Sequence, residues 1–247
     1  MMMIIEALGA SALDLLALSP PGWGATLLRG LGNSVVIAAG AYSLGILIGV
    51  AGAYGKLYGG PITKDLLAVY TTLVRAVPEL VLILILFFAV TDLVNGILQG
   101  WGYSRIQISG VAAGIAVLGI VQGAYSTEVL RGAILAVPSG QIEAAKAMGM
   151  PPGLLARRVT LPLMMANAIP GLANLWLIVT KDTALLAVVG FAELTQATRQ
   201  AAGTTKAFFT FFAAAGVLYL LLSFVSTLIF GRIERWARRG QIRTGGK

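Results

Sequence analysis

Five long apolar segments dominate this chain of 247 residues and constrain its fold more than any other feature. A helix that crosses a lipid bilayer needs about 20 consecutive, mostly apolar residues. Segments of that kind occur at 26–54, 65–91, 108–135, 163–180 and 207–231, and charged residues interrupt the second one at 75–79. The chain is therefore predicted to be an all-α, polytopic membrane protein with about five transmembrane helices.

The composition supports a membrane protein and removes several kinds of chemistry. Only 11% of the residues are charged, whereas an average soluble domain carries roughly a quarter. The chain contains no cysteine and no histidine, which excludes disulfides, thiol nucleophiles and most zinc sites. We therefore expect no metal site and no cofactor bound to this chain.

The net charge of +8 is distributed as membrane topology requires rather than as a nucleic-acid surface. Lysine and arginine cluster at the ends of apolar segments and in the C-terminal tail, and such residues mark the cytoplasmic side. If the polar loop at 138–162 is cytoplasmic, twelve of the 18 basic residues lie on that side, four on the other and two at membrane depth. Five spans then place the N-terminus outside and the C-terminus in the cytoplasm, and no nucleic-acid partner is expected.

Three regions follow from this topology. We expect residues 1–25 to form an external or interfacial segment, residues 26–233 to form the transmembrane domain, and residues 234–247 to form a basic cytoplasmic tail. Such a tail is attracted to anionic membrane lipid. An apolar stretch at 184–191 is only about half as long as a span, so a re-entrant or partial helix is expected there.

Charged residues at membrane depth are the candidates for a substrate path, because a central charge costs about 2.5–3.5 kcal/mol on insertion scales. Arg75 and Glu79 are four residues apart, with Pro78 between them. Two interpretations are open. The charges form an internal ion pair beside a proline kink, or they face a path in which Arg75 grips a substrate carboxylate and Glu79 accepts its amine.

The third span contains Glu128 towards its end, and its role is also open. In a helix it is placed to pair with Arg131, three residues on. The other interpretation is a carboxylate that faces the substrate beside Tyr125, one turn away.

The fourth span ends at Lys181-Asp182-Thr183. The adjacent opposite charges either neutralise each other at a helix break or line the path. A cationic substrate requires an acidic wall, and the chain offers three candidate carboxylates at membrane depth, namely Glu79, Glu128 and Asp182.

A polar stretch at 142–162 separates the third and fourth spans. It contains E-A-A at 143–145, a glycine at 149 and L-P at 161–162, and this spacing resembles the EAA loop of ABC importer permeases. The resemblance implies a short cytoplasmic coupling helix within residues 140–152 that seats in a groove on an ATPase subunit. An ordinary loop helix between two spans is the other interpretation. The residues that the resemblance assigns to coupling are Glu143, Ala144, Ala145, Gly149 and Pro162.

Three further stretches resemble the polar amino acid permeases of this family. L-V-R-A-V-P-E-L at 73–80 is similar to the R-G-x-P-x-L signature, with Ala76 in place of the glycine. The run at 123–132, followed by P-S-G-Q-I-E-A-A at 138–145, is similar to G-A-Y-x-x-E-x-x-R-G and P-x-G-Q-x-E-A-A. K-D-T-A-L at 181–185 is similar to K-D-S/T-S-L, with Ala184 in place of a serine.

The chain is thus identified as a member of the polar amino acid uptake family of ABC importers, which have a type I permease fold. The resemblance implies a permease subunit in the bacterial cytoplasmic (inner) membrane that imports a polar, by analogy basic, amino acid or an opine-type derivative by alternating access. It also implies two ATPase subunits, a second permease that is either a copy or a similar chain, and an extracytoplasmic substrate-binding protein.

Two rival functions remain at this point. No Walker phosphate loop, G-x-x-x-x-G-K-S/T, occurs in the sequence, so a separate ATPase polypeptide is expected to bind the ATP and this chain is not expected to be an enzyme. An ATP-independent secondary transporter or channel is the alternative, but such proteins commonly contain internal repeats, and we find none. A membrane-embedded enzyme would have to rely on carboxylates or lysine alone.

Overall fold

The computed structural model describes residues 12–104 and 109–239, and this part of the chain contains helices and no β-strand. The prediction of an all-α fold is thereby confirmed. Among the ten α-helices of the described residues, the eighth is flanked by a π-helical turn (Ala156–Thr160) and a 3₁₀ helix (Thr183–Val189). In order, these are α1 (Ala12–Leu15), α2 (Gly24–Tyr58), α3 (Pro61–Ala76), α4 (Glu79–Gly100), α5 (Gly110–Leu135), α6 (Ser139–Ala147), α7 (Pro152–Leu155), α8 (Leu161–Asp182), α9 (Leu194–Thr205) and α10 (Phe208–Ala237).

Five helical stretches are long and apolar enough to cross a membrane, as the sequence predicted. α2 contains 35 residues and is therefore about 52 Å long, whereas the hydrocarbon core of a bilayer is about 30 Å thick. Its end turns consequently extend beyond the hydrocarbon. The five stretches are Gly24–Tyr58, Glu79–Gly100, Gly110–Leu135, Pro152–Val189 and Phe208–Ala237.

The sequence predicted the second span at 65–91, but in the structure it lies at Glu79–Gly100. α3 ends at Ala76 and a separate helix begins at Glu79, because Pro78 lacks an N–H group and disfavours helical geometry in the residue before it. Val77 accordingly has an extended backbone, with φ −92° and ψ 140°. The apolar span is α4, whereas α3 has 16 residues, rises about 24 Å and is too short to cross alone.

α2 and α5 form the closest helix pair of the core, because glycines let their backbones approach. A Cβ atom on Gly49 would lie 2.4 Å from Cβ of Ser126, and one on Gly45 would lie 2.6 Å from Cγ of Gln122. No larger residue fits at either position without separating the helices.

Contacts of two aromatic side chains, Tyr42 and Trp176, fix α8 against α2 and against α10. The rings of Tyr42 and Trp176 meet edge to face with centroids 5.4 Å apart. The indole N–H of Trp176 donates to Oγ of Ser226 at 2.9 Å, and the Tyr42 hydroxyl donates to the carbonyl of Leu172 at 3.1 Å. These contacts hold the middle of α8 against α2 and α10.

After α8, the chain forms the 3₁₀ helix and ends it at Gly190, whose φ of +88° a glycine adopts readily. Its seven residues are too few to cross a bilayer, which agrees with the expected partial helix. α9 then packs Leu194 and Ala201 against Leu27 and Phe211.

The two terminal regions are described in part. Of the predicted external segment 1–25, residues 1–11 lie outside the described part of the chain, as do residues 240–247 of the predicted basic tail. The start of that tail is a helical continuation of α10 as far as Ala237.

Candidate functional site

Three of the predicted path residues meet at one place, although they come from three separate helices. Glu79 is the first residue of α4, Tyr125 lies in α5, and Asp182 is the last residue of α8. The Tyr125 hydroxyl donates to Oε1 of Glu79 at 3.3 Å. Asp182 lies close enough to Glu79 for the two carboxyl groups to interact, and Arg75 lies within electrostatic range of Tyr125. We call Arg75, Glu79, Tyr125 and Asp182 the charged cluster.

Within the described residues, Arg75 forms no ion pair with either carboxylate of the charged cluster. Arg75 and Glu79 form no ion pair, because the break at Pro78 removes the continuous helix in which residues four apart are neighbours. The ion pairs of the described residues lie elsewhere, at Lys56–Glu128, Glu128–Arg131 and Glu234–Arg238. The interpretation of an internal Arg75–Glu79 pair is therefore wrong in this conformation.

The remaining residues of the K-D-T triplet differ in their surroundings. The side chain of Lys181 is exposed, and within the described residues it forms no ion pair with Asp182. Thr183 is fully buried, and its hydroxyl donates to the carbonyl of Thr180 at 2.9 Å. Thr183 therefore caps the end of α8, whereas Asp182 is directed towards Glu79.

Glu128 belongs to a different cluster and is neutralised there. Its carboxylate accepts from Nζ of Lys56 at 2.5 Å and from Nη2 of Arg131 at 2.9 Å. Lys56 also donates to Oγ1 of Thr71 at 2.8 Å. Glu128 is thus a structural residue that links α2, α3 and α5. Sequence reasoning identified Arg131 as a partner but missed Lys56, because the contact depends on the packing of α2 against α5.

The predicted coupling loop contains α6 and the four-residue helix α7, and the outer face of α6 is free. Glu143 and Ala144 are exposed, whereas Ala145 is 4% exposed and anchors the helix. Glu143 forms no hydrogen bond or ion pair within the described part of the chain. α6 therefore presents a carboxylate and small side chains at the surface.

Gly149 ends α6 in a well-defined way. Its φ is +74°, a left-handed conformation that favours glycine. Its N–H donates to the carbonyl of Lys146 at 2.9 Å, and the N–H of Met150 donates to that of Ala145 at 3.1 Å, which is the Schellman arrangement. Pro162, the last residue of the predicted coupling set, is exposed in the first turn of α8.

A fully buried carboxylate, Glu193, was not singled out from the sequence. It caps α9 by accepting from the backbone N–H groups of Thr195 at 2.8 Å and Gln196 at 2.7 Å. The Tyr219 hydroxyl donates to it at 3.1 Å, and that of Ser34 at 3.4 Å. Burial raises the pKa of Glu193 above its usual value, and the donors oppose this because they stabilise the charged form.

In the sequence, this cap is indicated only by an acidic residue placed two positions before the polar run T-Q-A-T at 195–198. Its partners on α2 and α10 could not be read from the sequence. Across the described residues, no group of three or more acidic, cysteine or histidine side chains is placed to hold a metal ion.

Residues 41–239 match the model of a family described as "Binding-protein-dependent transport system inner membrane component". The chain is 45% identical to the nopaline transport system permease protein NocQ of Agrobacterium fabrum (strain C58 / ATCC 33970), over 92% of this chain and 98% of that protein. It is 38% identical to the histidine/lysine/arginine/ornithine transport system permease protein HisQ of Escherichia coli (strain K12), over 87% of this chain and 94% of that protein.

Two solved structures of ABC transporter chains are similar to this chain in fold. A chain of an amino acid ABC transporter crystallised with histidines is similar with a TM-score of 0.73 and 27% identity, over 86% of this chain and 94% of that one. A chain of the MetNI methionine ABC transporter in an inward-facing conformation is similar in fold, with a TM-score of 0.68 and 21% identity, over 89% of this chain and 99% of that one.

Proposed function

The chain belongs to the family of binding-protein-dependent transport system inner membrane components, and we propose how this ABC importer permease recognises its substrate and receives its energy. It imports a charged amino acid or an opine by alternating access, and the substrate passes the charged cluster. The observation that carries this proposal is the meeting of Glu79, Tyr125 and Asp182 from three helices.

A zwitterion matches the charges of the cluster. Arg75 is free to bind a carboxylate with two hydrogen bonds, and the carboxyl groups of Glu79 and Asp182 are free to accept from an ammonium or guanidinium group. Charged groups without an oppositely charged partner at membrane depth are expensive, and within the described residues Arg75, Glu79 and Asp182 form no ion pair. A site for a charged ligand accounts for this arrangement. The names of the relatives, which specify nopaline and basic amino acids, are consistent with this class of substrate.

The acidic wall contains two carboxylates instead of the three that the sequence suggested. Glu128 is excluded because Lys56 and Arg131 already compensate its charge. Glu79 and Asp182 remain, and their proximity favours a cation between them. A substrate with a positive side chain therefore gains more from this site than a neutral one.

Energy enters through α6, in our proposal. A separate ATPase subunit docks on the exposed face around Glu143 and Ala144, and closure of two such subunits moves α6 and the spans attached to it. The assembly further contains a second permease, either a copy or a similar chain, and an extracytoplasmic binding protein. The α6 side faces the cytoplasm, with the N-terminus outside. A secondary transporter or channel is not favoured, because the relatives are permeases of multicomponent transport systems.

Uptake by the reconstituted transporter tests the substrate site. Proteoliposomes that contain the permease with its partner subunits are supplied with labelled arginine, histidine, nopaline or glutamine, with ATP inside or absent. We expect ATP-dependent uptake of the compounds with a cationic guanidinium group, arginine and nopaline. Glu79→Gln or Asp182→Asn should reduce this uptake about 10- to 100-fold, the equivalent of one lost charge-assisted hydrogen bond.

The control is Asp65→Asn, which changes an exposed acid near the start of α3, outside the membrane spans, and should leave uptake unchanged. If both amide variants in the cluster import the cationic compounds at the wild-type rate, the acidic-wall proposal is wrong. Uptake that is equally fast without ATP would overturn the importer assignment itself.

A further inference from the structure

A groove on the α6 side of the molecule plays no part in the proposed transport. It has a volume of about 250 Å³ and lies between the C-terminal end of α2, the end of α5 and the π-helical turn that leads into α8. No acidic residue lines it. Six of its lining residues bear on its chemistry, namely Tyr54, Tyr58, Ile134, Arg157, Leu161 and Met164.

Two exposed tyrosines form one wall of the groove. Tyr54 and Tyr58 are one helical turn apart on α2, are 57% and 72% exposed, and have ring centroids 5.6 Å apart. Because α2 is longer than the hydrocarbon core is thick, its final turns reach the headgroup region. Tyrosine is enriched at that level, where its ring is in contact with lipid and its hydroxyl with polar groups.

Arg157 provides the positive charge of the groove. It lies on the π-helical turn Ala156–Thr160, a rare geometry that is frequent at functional sites. Its side chain is exposed and forms no hydrogen bond or ion pair with any residue that the structure describes. A free guanidinium with no acidic neighbour in the groove is suited to a phosphate, which it binds with two hydrogen bonds.

The floor of the groove is apolar. Ile134 ends α5, while Leu161 and Met164 begin α8. Leu161 is 49% exposed, and an apolar surface of this kind at the start of a membrane span is suited to contact with an acyl chain. The groove thus combines a cation and aromatic hydroxyls at headgroup level with an apolar surface directed along the span.

We propose that this groove binds one anionic phospholipid from the leaflet on the α6 side. Arg157 and the tyrosine hydroxyls hold the headgroup phosphate, and Leu161 and Met164 contact one acyl chain. The site goes beyond the substrate path and is separate from the charged cluster. It also differs from general attraction of the basic C-terminal tail to anionic lipid, because it requires particular residues in a shaped groove.

Native mass spectrometry of the purified transporter, with all its subunits, tests the proposal. The delipidated complex is titrated with phosphatidylglycerol or with phosphatidylcholine of the same acyl chains, and bound lipids are counted. We expect a saturable site for phosphatidylglycerol. Arg157→Gln should weaken it about fivefold, as expected for one basic residue at an anionic headgroup, whereas Arg157→Lys should retain most of the binding.

The control variant is Arg235→Gln, which removes the same charge from an exposed position on α10. Wild-type affinity in Arg235→Gln together with the loss in Arg157→Gln supports the site. Equal affinity of Arg157→Gln and wild type, or equal weakening in both variants, would overturn it. Competition by glycerophosphoglycerol as strong as that by the intact lipid would also overturn it, because the groove would then bind a phosphate and not a lipid.

Discussion

Glu128 offers the sharpest test of how the core is held together. Its carboxylate joins Lys56 at 2.5 Å and Arg131 at 2.9 Å, and the side chains of Lys56 and Glu128 are only 15% and 18% exposed. Glu128→Gln keeps the shape of the side chain but leaves the charge of Lys56 uncompensated. Removal of one partner from a buried pair costs about 3–5 kcal/mol. Since both groups keep some contact with solvent, we expect about 2–3 kcal/mol.

Thermal unfolding of the purified transporter, followed by circular dichroism, measures this loss. A change of 1 kcal/mol shifts the midpoint by about 2–4 °C in a chain of this size, so Glu128→Gln should unfold roughly 5–10 °C below the wild type. The double variant Lys56→Met with Glu128→Gln should recover more than half of the loss, because removal of both charges from a buried pair is often neutral.

Arg131→Gln serves as the comparison at the same carboxylate. The Arg131 side chain is 36% exposed, and a solvated ion pair contributes less than about 1 kcal/mol. A Glu128→Gln variant that unfolds at the wild-type temperature would refute the reasoning. So would a double variant that is less stable than Glu128→Gln alone.

Three other predictions follow from local geometry. Gly49→Ala should lower the amount of folded protein in detergent, since its Cβ would meet Ser126 at 2.4 Å. Gly32→Ala on the same helix has open space and should leave that amount unchanged. Size-exclusion chromatography measures the amount of folded protein for both variants. Gly149→Val should destabilise the end of α6 by about 1–2 kcal/mol, detected as faster proteolysis of the loop, while Gly149→Asn should do so less. Burial raises the pKa of Glu193 in the folded protein above its ordinary value of about 4.5, so the folded state holds this proton more tightly than the unfolded state does. The free energy of unfolding should therefore fall as pH rises above about 4.5. Glu193→Gln should flatten this dependence of the unfolding midpoint on pH.

The number and type of the membrane spans could be predicted from the sequence because they depend on length and polarity alone. The second span could not be placed so well. Its apolar residues continue on both sides of Pro78, and only the geometry of Val77 shows that one helix stops and another starts. A proline marks a break, but it does not say which side of the break forms the span.

The sequence predicted which residues belong to the candidate site, but not that they lie close together in space. Arg75, Glu79, Tyr125 and Asp182 were identified because charges and hydroxyls at membrane depth are unusual. Their convergence depends on the break before α4 and on the packing of α8. The same limit explains why Lys56 was missed, since it is 72 residues from Glu128 in sequence and meets it only because α2 packs closely on α5.

Energy transfer through α6 is tested most directly by the rate of ATP hydrolysis by the transporter when the binding protein and substrate are added. The permease is reconstituted with its ATPase, and the wild type is compared with Glu143→Lys and with Asp65→Lys, a charge reversal at an exposed position on α3. The Glu143→Lys transporter should assemble normally but lose the stimulated hydrolysis, while Asp65→Lys should keep it. Full stimulation in the Glu143→Lys transporter would contradict the claim that α6 transmits energy from the ATPase to the membrane helices.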